Sequence, residues 1–294
     1  MAIDNFIPEV WSARLQRHLD RTLVYAQEKV CNRDWEGEIT EAGDTVHINK
    51  VGDPAIKDYV PGEDMDSPEE PDGTTQALVV DLFKYFNVSI DDVNKAQVKG
   101  NLLDSFAQRA GVKMAQKIDE SVAAKLVAAA TVSKVGTDAA PVSIKADGSG
   151  DLTPYELAVE LRRLIAGQDA PLDSLWIAIN PDFEAEIMLD DKYIAAGSEI
   201  GAEFVRNGAI GKIAGIEVLR TTGVPTSAGS GEAPKPNIKI LAGAGNYATT
   251  FANQVTEMEA FKPERRFGDA VKGLEVYGAK VLEPETIAVA HVQK

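Results

Sequence analysis

One uninterrupted helical pattern, over about residues 100–131, constrains this chain more than any other feature. Apolar side chains recur there at every fourth position and form one stripe, which consists of Phe106, Ala110, Met114, Ile118, Val122 and Leu126. Such a stripe is typical of a helix with one buried face. At a rise of 1.5 Å per residue, the helix would be roughly 45 Å long. A helix of that length does not fit inside a small globule, so we predict an elongated subunit built along it.

A second element is also too long for a compact monomer. Residues 36–92 contain two predicted strands, at residues 44–50 and 76–92, and the second strand alternates apolar and polar side chains with Lys84 as the exception. At about 3.3 Å per residue, the second strand would span roughly 50 Å. Because a long hairpin is only marginally stable alone, we predict that this one packs on a neighbouring subunit.

Residues 58–73, which lie between these two strands, form an acidic segment. Pro61, Pro68 and Pro71 keep it out of regular structure. It contains no base, and its acidic residues are Asp58, Glu63, Asp64, Asp66, Glu69, Glu70 and Asp72. Their spacing does not match a regular calcium-binding loop. We therefore interpret the segment as a loop that faces solvent or a partner.

The N-terminal region predicts a further helix. Pro8 suits a first helical position, and apolar residues recur at four-residue spacing at Trp11, Leu15, Leu19 and Leu23. Another face of this helix is basic and carries Arg14, Arg17, His18 and Arg21. Such a face is either solvated or a docking surface for something acidic, and the sequence does not favour one over the other.

The remainder predicts a mixed α/β region and then a strand-rich one. Thr153, Pro154 and Glu156 have the spacing of an N-cap, a first-turn proline and a capping box. Residues 175–179 form a short apolar strand, and Asn180 with Pro181 caps the helix after it. Residues 249–292 are rich in predicted strands, with Lys262, Arg265 and Arg266 near a turn.

Charge and cysteine content exclude several classes of protein. The 294 residues include 46 acids and 30 bases, for a net charge of −16. A protein that wraps nucleic acid needs lysine and arginine at many phosphates, so this surface would repel DNA over most of its area. Cys31 is the only cysteine and has no partner for an internal disulfide, which is consistent with synthesis in a reducing cytoplasm. No apolar run approaches the ~20 residues of a membrane span.

The sequence carries no strong sign of an enzyme. Its three histidines, His18, His47 and His291, have no metal-ligand spacing. Spacing alone leaves a Ser/His/Asp site open, but no Gly-x-Ser-x-Gly motif is present. Gly243-Ala-Gly245 lacks the third glycine of a nucleotide-binding loop and is better interpreted as a turn. We predict no catalytic residue, no metal and no cofactor.

Three passages, in this order, resemble one family. The first is Phe6-Ile-Pro-Glu-Val-Trp-Ser-Ala-Arg14 with Glu36-Gly-Glu-Ile and Gly43-Asp-Thr-Val-His-Ile after it. The second is Leu175-Trp-Ile-Ala-Ile-Asn-Pro-Asp-Phe183, and the third begins at Arg266-Phe-Gly-Asp and continues to Lys280. Together with the order of predicted elements, they are similar to the Hong Kong 97-like major capsid proteins of tailed bacteriophages. The resemblance covers essentially the whole chain.

The resemblance implies an α+β subunit of the Hong Kong 97-like capsid fold with four parts. Residues 1–35 would be an N-terminal arm with a helix, and residues 36–92 an extended β-hairpin loop that lies over the next subunit. Residues 93–149 and 249–294 would form a peripheral domain with the long helix as its spine. Residues 150–248 would form an α/β axial domain.

The resemblance also implies a function and partners. The chain would assemble with itself, as hexamers and pentamers, into an icosahedral shell that encloses phage DNA in the virion, after synthesis in the host bacterial cytoplasm. A separate scaffolding protein and a portal are expected partners, a decoration protein is left open, and double-stranded DNA would be contacted only weakly. The alternatives are an encapsulin-like protein compartment and, less favoured, a soluble α/β enzyme.

A contact between subunits follows as a hypothesis. The acidic loop at residues 58–72 would meet a basic patch of the next subunit. Two patches are candidates. The first lies on the long helix and consists of Arg109, Lys113 and Lys117. The second lies near the turn after residue 261 and consists of Lys262, Arg265 and Arg266. Each exposed ion pair contributes only ~0–1 kcal/mol, but a shell repeats the contact many times.

Overall fold

The structure is a computed structural model that describes residues 24–35, 45–52, 54–58, 64, 67, 73–91, 102–131, 133–190, 211–227, 236–262 and 268–293. These residues include three α-helices, α1 (Leu102–Ala129), α2 (Pro154–Ala166) and α3 (Pro181–Leu189). Their strands are β1 (Thr45–Val51), β2 (Gly73–Val79), β3 (Leu82–Asp91), β4 (Ser133–Val135), β5 (Val142–Ser143), β6 (Leu175–Ile179), β7 (Lys212–Ile213), β8 (Ile216–Arg220), β9 (Thr226–Ser227), β10 (Asn237–Ala244), β11 (Thr249–Phe261), β12 (Gly268–Val281) and β13 (Ile287–Gln293).

The long helix predicted from the apolar stripe is confirmed. Helix α1 has 28 residues, which corresponds to about 42 Å at 1.5 Å per residue. Met114, Ile118, Val122 and Leu126 are buried as the four-residue spacing requires. The helix predicted near the N-terminus lies outside the described residues.

A three-stranded antiparallel sheet packs on α1. Its strand order is β11, β12, β3. Phe251 of β11 and Tyr277 of β12 are buried in the same apolar cluster as Ile118 and Val122, and Leu82 and Phe86 of β3 pack against it. Gly273 of β12 makes this packing possible, because a Cβ atom there would lie 2.3 Å from Cε1 of Phe86.

The predicted hairpin forms, but its second strand is shorter than expected. Strand β1 pairs with β2 from Thr45 opposite Val79 to Val51 opposite Gly73. The prediction of one strand over residues 76–92 is wrong, because β2 ends at Val79 and β3, from Leu82, pairs with β12 instead. Val80, between them, is fully buried with Val46, Leu78 and Val276. The chain thus crosses the sheet face at this point and changes its hydrogen-bonding partner.

The hairpin strands rest on their own subunit. Val46 and Leu78 pack on Ala252 of β11 and Val276 of β12. Farther along, the Lys50 ammonium lies 2.7 Å from a carboxylate oxygen of Glu283, and Gln76 donates to the Leu282 carbonyl at 3.2 Å. The described strands of the hairpin are therefore supported within their own chain. That the hairpin packs on a neighbouring subunit stays a prediction.

Strands between residues 133 and 293 form an eight-stranded mixed sheet. Its order is β4, β13, β10, β6, β8, β7, with β5 also paired to β13 and β9 to β10. Helix α2 buries Leu157, Leu161 and Ile165 against it, and α3 buries Phe183 and Ile187. Both predicted helix starts are confirmed: Thr153 and Glu156 form a reciprocal capping box, and Asn180 accepts from the Phe183 amide.

Three strands of this sheet come from ranges that the resemblance assigns to the peripheral domain. Strands β4 and β5 precede residue 149 and β13 follows residue 249, yet β13 pairs with β10, β4 and β5. The two sheets also share a core, because Trp176 and Leu241 lie in the cluster that contains Ile118 of α1. The domain boundaries stay predictions. Among the described helices, none has the length and apolar character needed to cross a membrane.

Candidate functional site

The acidic loop is described in part. Asp58 and Asp64 are exposed, whereas Glu63, Asp66, Glu69, Glu70 and Asp72 lie outside the described residues. The loop joins the ends of β1 and β2 at Val51 and Gly73. The ion pair between Lys50 and Glu283 fixes the end of β1 to the segment before β13. The position at which the loop leaves the subunit is therefore set by contacts within the chain.

The first basic patch lies on the exposed side of α1, as predicted. Arg109, Lys113 and Lys117 are all exposed. Two of them already have partners on the helix: Lys113 donates to Gln116 at 3.1 Å, and Lys117 lies 2.6 Å from a carboxylate oxygen of Glu120. Pairs of this kind three residues apart stabilise the helix slightly. The Lys117–Glu120 pair also reduces the positive charge that this patch offers to a partner.

The second basic patch begins where β11 ends. Lys262 directly follows Phe261 and is exposed, and Arg265 and Arg266 lie outside the described residues. The basic face of Arg14, Arg17, His18 and Arg21 also lies outside them. Among the described members of these sets, no ion pair joins a basic patch to Asp58 or Asp64.

Asp119 is a buried group that the sequence did not single out. Oδ1 of this α1 carboxylate accepts the backbone N–H groups of Val24 at 2.9 Å and Tyr25 at 2.6 Å. Burial raises its pKa to about 6, although these backbone hydrogen bonds favour the ionised form. No local pattern marks it, because its partners lie about 95 residues away in the sequence. Asp119 fixes the point at which the N-terminal region meets α1.

Residues 24–35 continue this attachment to the sheet. Tyr25, Ala26, Val30 and Cys31 are fully buried in the core around α1. Asn32 donates to the Thr249 carbonyl at 2.7 Å and accepts from the Phe251 amide at 2.9 Å, so it extends the edge of β11. Burial raises the pKa of the Cys31 thiol well above its usual range, which keeps it protonated and unreactive.

A polar cluster around Asp138 contains the residue types of a hydrolase triad in a different arrangement. The Asp138 carboxylate binds Ser227 Oγ at 2.5 Å, Lys239 Nζ at 2.9 Å and His291 Nδ1 at 3.0 Å. These hydrogen bonds, first those from Ser227 and Lys239, hold the pKa of Asp138 well below its usual range. Ser227 donates to the carboxylate and not to His291, so this geometry does not activate the serine as a nucleophile. The cluster instead ties β9, β10 and β13 to the loop after β4.

The described residues contain no group of His, Cys, Asp or Glu side chains arranged to hold a metal ion. A small, partly open pocket lies beside α3 and is lined mainly by apolar side chains, including Ile144, Phe183 and Ile240. Glu186 at its rim accepts the Ala146 amide at 3.1 Å. No pairing of a nucleophile with a base lies among the residues that line it.

Known structures share this fold over nearly the full length. A structure described as Mycobacterium phage Che8 matches with a TM-score of 0.73 and 24% identity, over 98% of each chain. The capsid structure of the cyanophage P-SCSP1u matches with a TM-score of 0.67 and 19% identity, over 87% of this chain and 85% of that one. A virus-like particle from Pyrococcus furiosus matches with a TM-score of 0.57 and 15% identity, over 97% of this chain and 99% of that one.

Sequence comparison gives the family. No curated protein sequence matches this chain. The α+β capsid fold expected from the sequence is confirmed by the structural matches. A family model described as phage capsid protein matches residues 75–290, which is well over half of the chain. This match includes β3, α1 and both sheets, and the chain therefore belongs to the phage capsid protein family.

Proposed function

We infer that this chain is the major capsid protein of a tailed bacteriophage and assembles with itself into the icosahedral shell that encloses the genome. The observation that carries this conclusion is the match of the phage capsid protein family to residues 75–290. The 28-residue helix α1 supports it, because a shell needs extended subunits with several separate contact surfaces. In the virion the chain is a structural component, and we propose that it has no catalytic activity of its own.

The division of labour within the subunit is part of this proposal. Residues 36–92 form an extended loop that reaches the next subunit, and residues 1–35 form the N-terminal arm. Residues 93–149 and 249–294 form the peripheral domain around α1, and residues 150–248 the axial domain that meets its copies at five-fold and six-fold axes. The pairing of β13 with β10 makes the two domains one continuous body and supports a rigid subunit.

The acidic loop is the proposed contact with the next subunit. Its charged residues, from Asp58 to Asp72, lie in the sequence between β1 and β2, and contacts with Glu283 and Leu282 hold these two strands in place. We favour the patch of Lys262, Arg265 and Arg266 as its partner over the patch on α1. The reason is that Lys113 and Lys117 already bind Gln116 and Glu120, and breaking those pairs would offset part of the new attraction.

The basic face of the N-terminal helix is proposed to dock on an acidic partner within the shell. Its four residues, Arg14, Arg17, His18 and Arg21, precede the attachment at Asp119. The alternative is a solvated face without a partner. Changing Arg14, Arg17 and Arg21 together to alanine separates the two: unchanged assembly and genome packaging would establish the solvated face.

The other partners follow from the shell function. A separate scaffolding protein, a portal and, in some shells, a decoration protein complete the particle, which is assembled in the host bacterial cytoplasm. The net charge of −16 supports only weak, non-specific contact with packaged double-stranded DNA. A wall of this kind leaves the genome free to move during packaging and release.

An encapsulin-like compartment is the second candidate. The observation that favours it is the match to a virus-like particle from Pyrococcus furiosus, although its TM-score of 0.57 is below the 0.73 of the Che8 structure. The contents of particles from infected or producing cells separate the two functions. A genome supports the phage capsid, and a protein cargo supports the compartment.

The proposed function itself is tested by assembly. We expect the purified chain, with a scaffold where one is needed, to sediment as oligomers and closed particles. A chain that remains monomeric at every concentration and with its scaffold contradicts the function and favours the soluble α/β enzyme.

A further inference from the structure

Residues 24–35 join three parts of the subunit although they form no helix and no strand beyond one bridge at Asn32. They are named here the clasp. Tyr25 at one end of the clasp donates to Asp119 on α1, and Asn32 near the other end pairs with β11. Between them, Lys29 forms an exposed ion pair with Glu217 on β8. The clasp is thus fixed to the long helix and to both sheets at a few separate points.

Two polar groups make closure of the clasp costly. The Asp119 side chain is only 4% exposed, and a Cβ atom at Gly223 would lie 3.8 Å from its Oδ2, so the loop after β8 packs against this carboxylate. Removing a charge from water is unfavourable even where hydrogen bonds offset part of the cost. The buried Tyr25 hydroxyl has no hydrogen-bond partner among the described residues, which is also unfavourable. Opening of the clasp relieves both costs.

The closed clasp binds a proton at Asp119 more tightly than an open one. Burial raises the pKa of Asp119 to about 6 from an ordinary value of 3.8. The acidic groups around it are Glu120 on α1 and the Tyr25 and Cys31 side chains of the clasp. Burial raises the pKa of Tyr25 and Cys31, so both stay neutral, and the nearby base Arg33 donates to the Ala26 carbonyl at 3.1 Å. Protonation therefore favours closure, and this advantage is lost as pH rises through 6.

We propose that the clasp opens as one unit while both sheets stay folded, and that the negative charge on Asp119 loosens it at neutral pH. A segment held by a few separate contacts commonly opens without global unfolding. The clasp directly follows residues 1–23 in the sequence, so its opening releases the point at which the N-terminal region is fixed to α1. In the shell proposed above, the attachment of the N-terminal arm is then the part of the subunit that responds to pH.

Hydrogen exchange of folded, full-length subunits tests this proposal. Peptides that cover the clasp and β10 are followed by mass spectrometry at about pH 5 and about pH 7.5, and each exchange rate is corrected for the intrinsic rate at that pH to give a protection factor. Strand β10 is the reference because it lies between β13 and β6 in the eight-stranded sheet. We expect less protection in the clasp than in β10. Between the two pH values, protection of the clasp should fall by about tenfold, as a pKa raised by two units requires.

Two variants separate the charge from the hydroxyl. Asp119→Asn keeps an oxygen that accepts the Tyr25 amide but removes the charge, so its clasp should be equally protected at both pH values. Tyr25→Phe removes the buried hydroxyl and should raise protection of the clasp about threefold or more at both pH values. Glu28→Gln is the control, because Glu28 is an exposed carboxylate within the clasp, and it should behave as the wild type.

Two results for the wild-type chain would overturn the proposal. Equal protection of the clasp and β10 would mean that the clasp opens only when the whole subunit unfolds. A protection factor of the clasp that stays the same at both pH values would mean that the charge on Asp119 does not loosen it. Neither result bears on the shell function, which particle formation tests separately.

Discussion

The backbone N–H of Tyr25 donates to Oδ1 of Asp119 at 2.6 Å, and this contact joins two positions 94 residues apart in the sequence. The carboxylate is buried on α1, and the amide belongs to the segment that ends the N-terminal arm. An anionic acceptor for backbone donors is among the stronger hydrogen-bond arrangements in proteins. The relationship makes α1 the support not only of the sheet but also of the arm.

Replacement of Asp119 by alanine tests that support. Asp119→Ala leaves the Val24 and Tyr25 amides without their acceptor in a buried place, and we expect the folded subunit to lose about 3 kcal/mol of unfolding free energy. Urea denaturation of dissociated subunits measures this loss. Glu120→Ala is the control, because Glu120 is exposed beside Lys117 and should contribute no more than about 0.5 kcal/mol. Equal effects of the two variants would contradict the role of Asp119.

The same carboxyl predicts a dependence of stability on pH. Its pKa is about 6 in the folded chain against an ordinary value of 3.8, so the folded state binds the proton more tightly than the unfolded state. The stabilisation from protonation is complete below pH 4 and is lost as pH rises through 6, by about 3 kcal/mol in all. Asp119→Asn should remove this component, and the difference between the wild-type and variant curves measures it.

Asp138 affects the pH dependence of folding stability in the opposite direction from Asp119. Hydrogen bonds from Ser227 and Lys239 lower its pKa, so its stabilisation is present above its ordinary pKa and is lost only in stronger acid. Its side chain is half exposed, and solvent reduces the effect. A wild-type curve that matches Asp119→Asn between pH 4 and 7 would show that Asp119 does not titrate in this range.

The crossing from β2 to β3 depends on Gly278. A Cβ atom at this position would lie 2.6 Å from the carbonyl oxygen of Val79, and a backbone atom cannot move aside as the end of a side chain can. We expect Gly278→Ala to destabilise the subunit by about 2 kcal/mol. Gly211→Ala is the control, since no atom lies within 4 Å of its added Cβ. Thermal unfolding compares the two, and equal melting temperatures would contradict this account of the crossing.

Charge reversal tests the acidic loop. Glu69→Lys with Glu70→Lys should lower particle yield, and particles that still form should dissociate at lower salt, because opposite charges across the contact become like charges. Glu285→Lys is the control, as Glu285 is exposed in the turn before β13. Sedimentation across a salt series measures both the particle yield and the salt concentration at which particles dissociate. Wild-type yield and salt tolerance in the double variant would remove the loop from the assembly contacts.

The elements that the sequence predicted well have strong local signals. Helix α1 follows from one apolar stripe over about six turns, and α2 and α3 follow from the caps at Thr153 and Asn180. In each case, residues within four positions of one another determine the structure. The family resemblance depended on the order of such elements and needed no long-range contact.

The break between β2 and β3 had no local signal. Leu78, Val80 and Leu82 keep the alternation of a single strand through the crossing, although their partners change from β1 to β12. The cause is tertiary, namely the burial of Val80 against Val276 and the space left by Gly278. Asp119 was missed for a similar reason, since its partners lie far away in the sequence. The proposed partner of the acidic loop lies on another subunit. The sequence of one chain does not show which residues of two subunits meet.

Electron microscopy of the purified chain, expressed with its scaffold where one is needed, tests the central claim most directly. The account predicts closed icosahedral particles built from many copies of this chain. Monodisperse single subunits, with no particles or rings under any assembly condition, would contradict it.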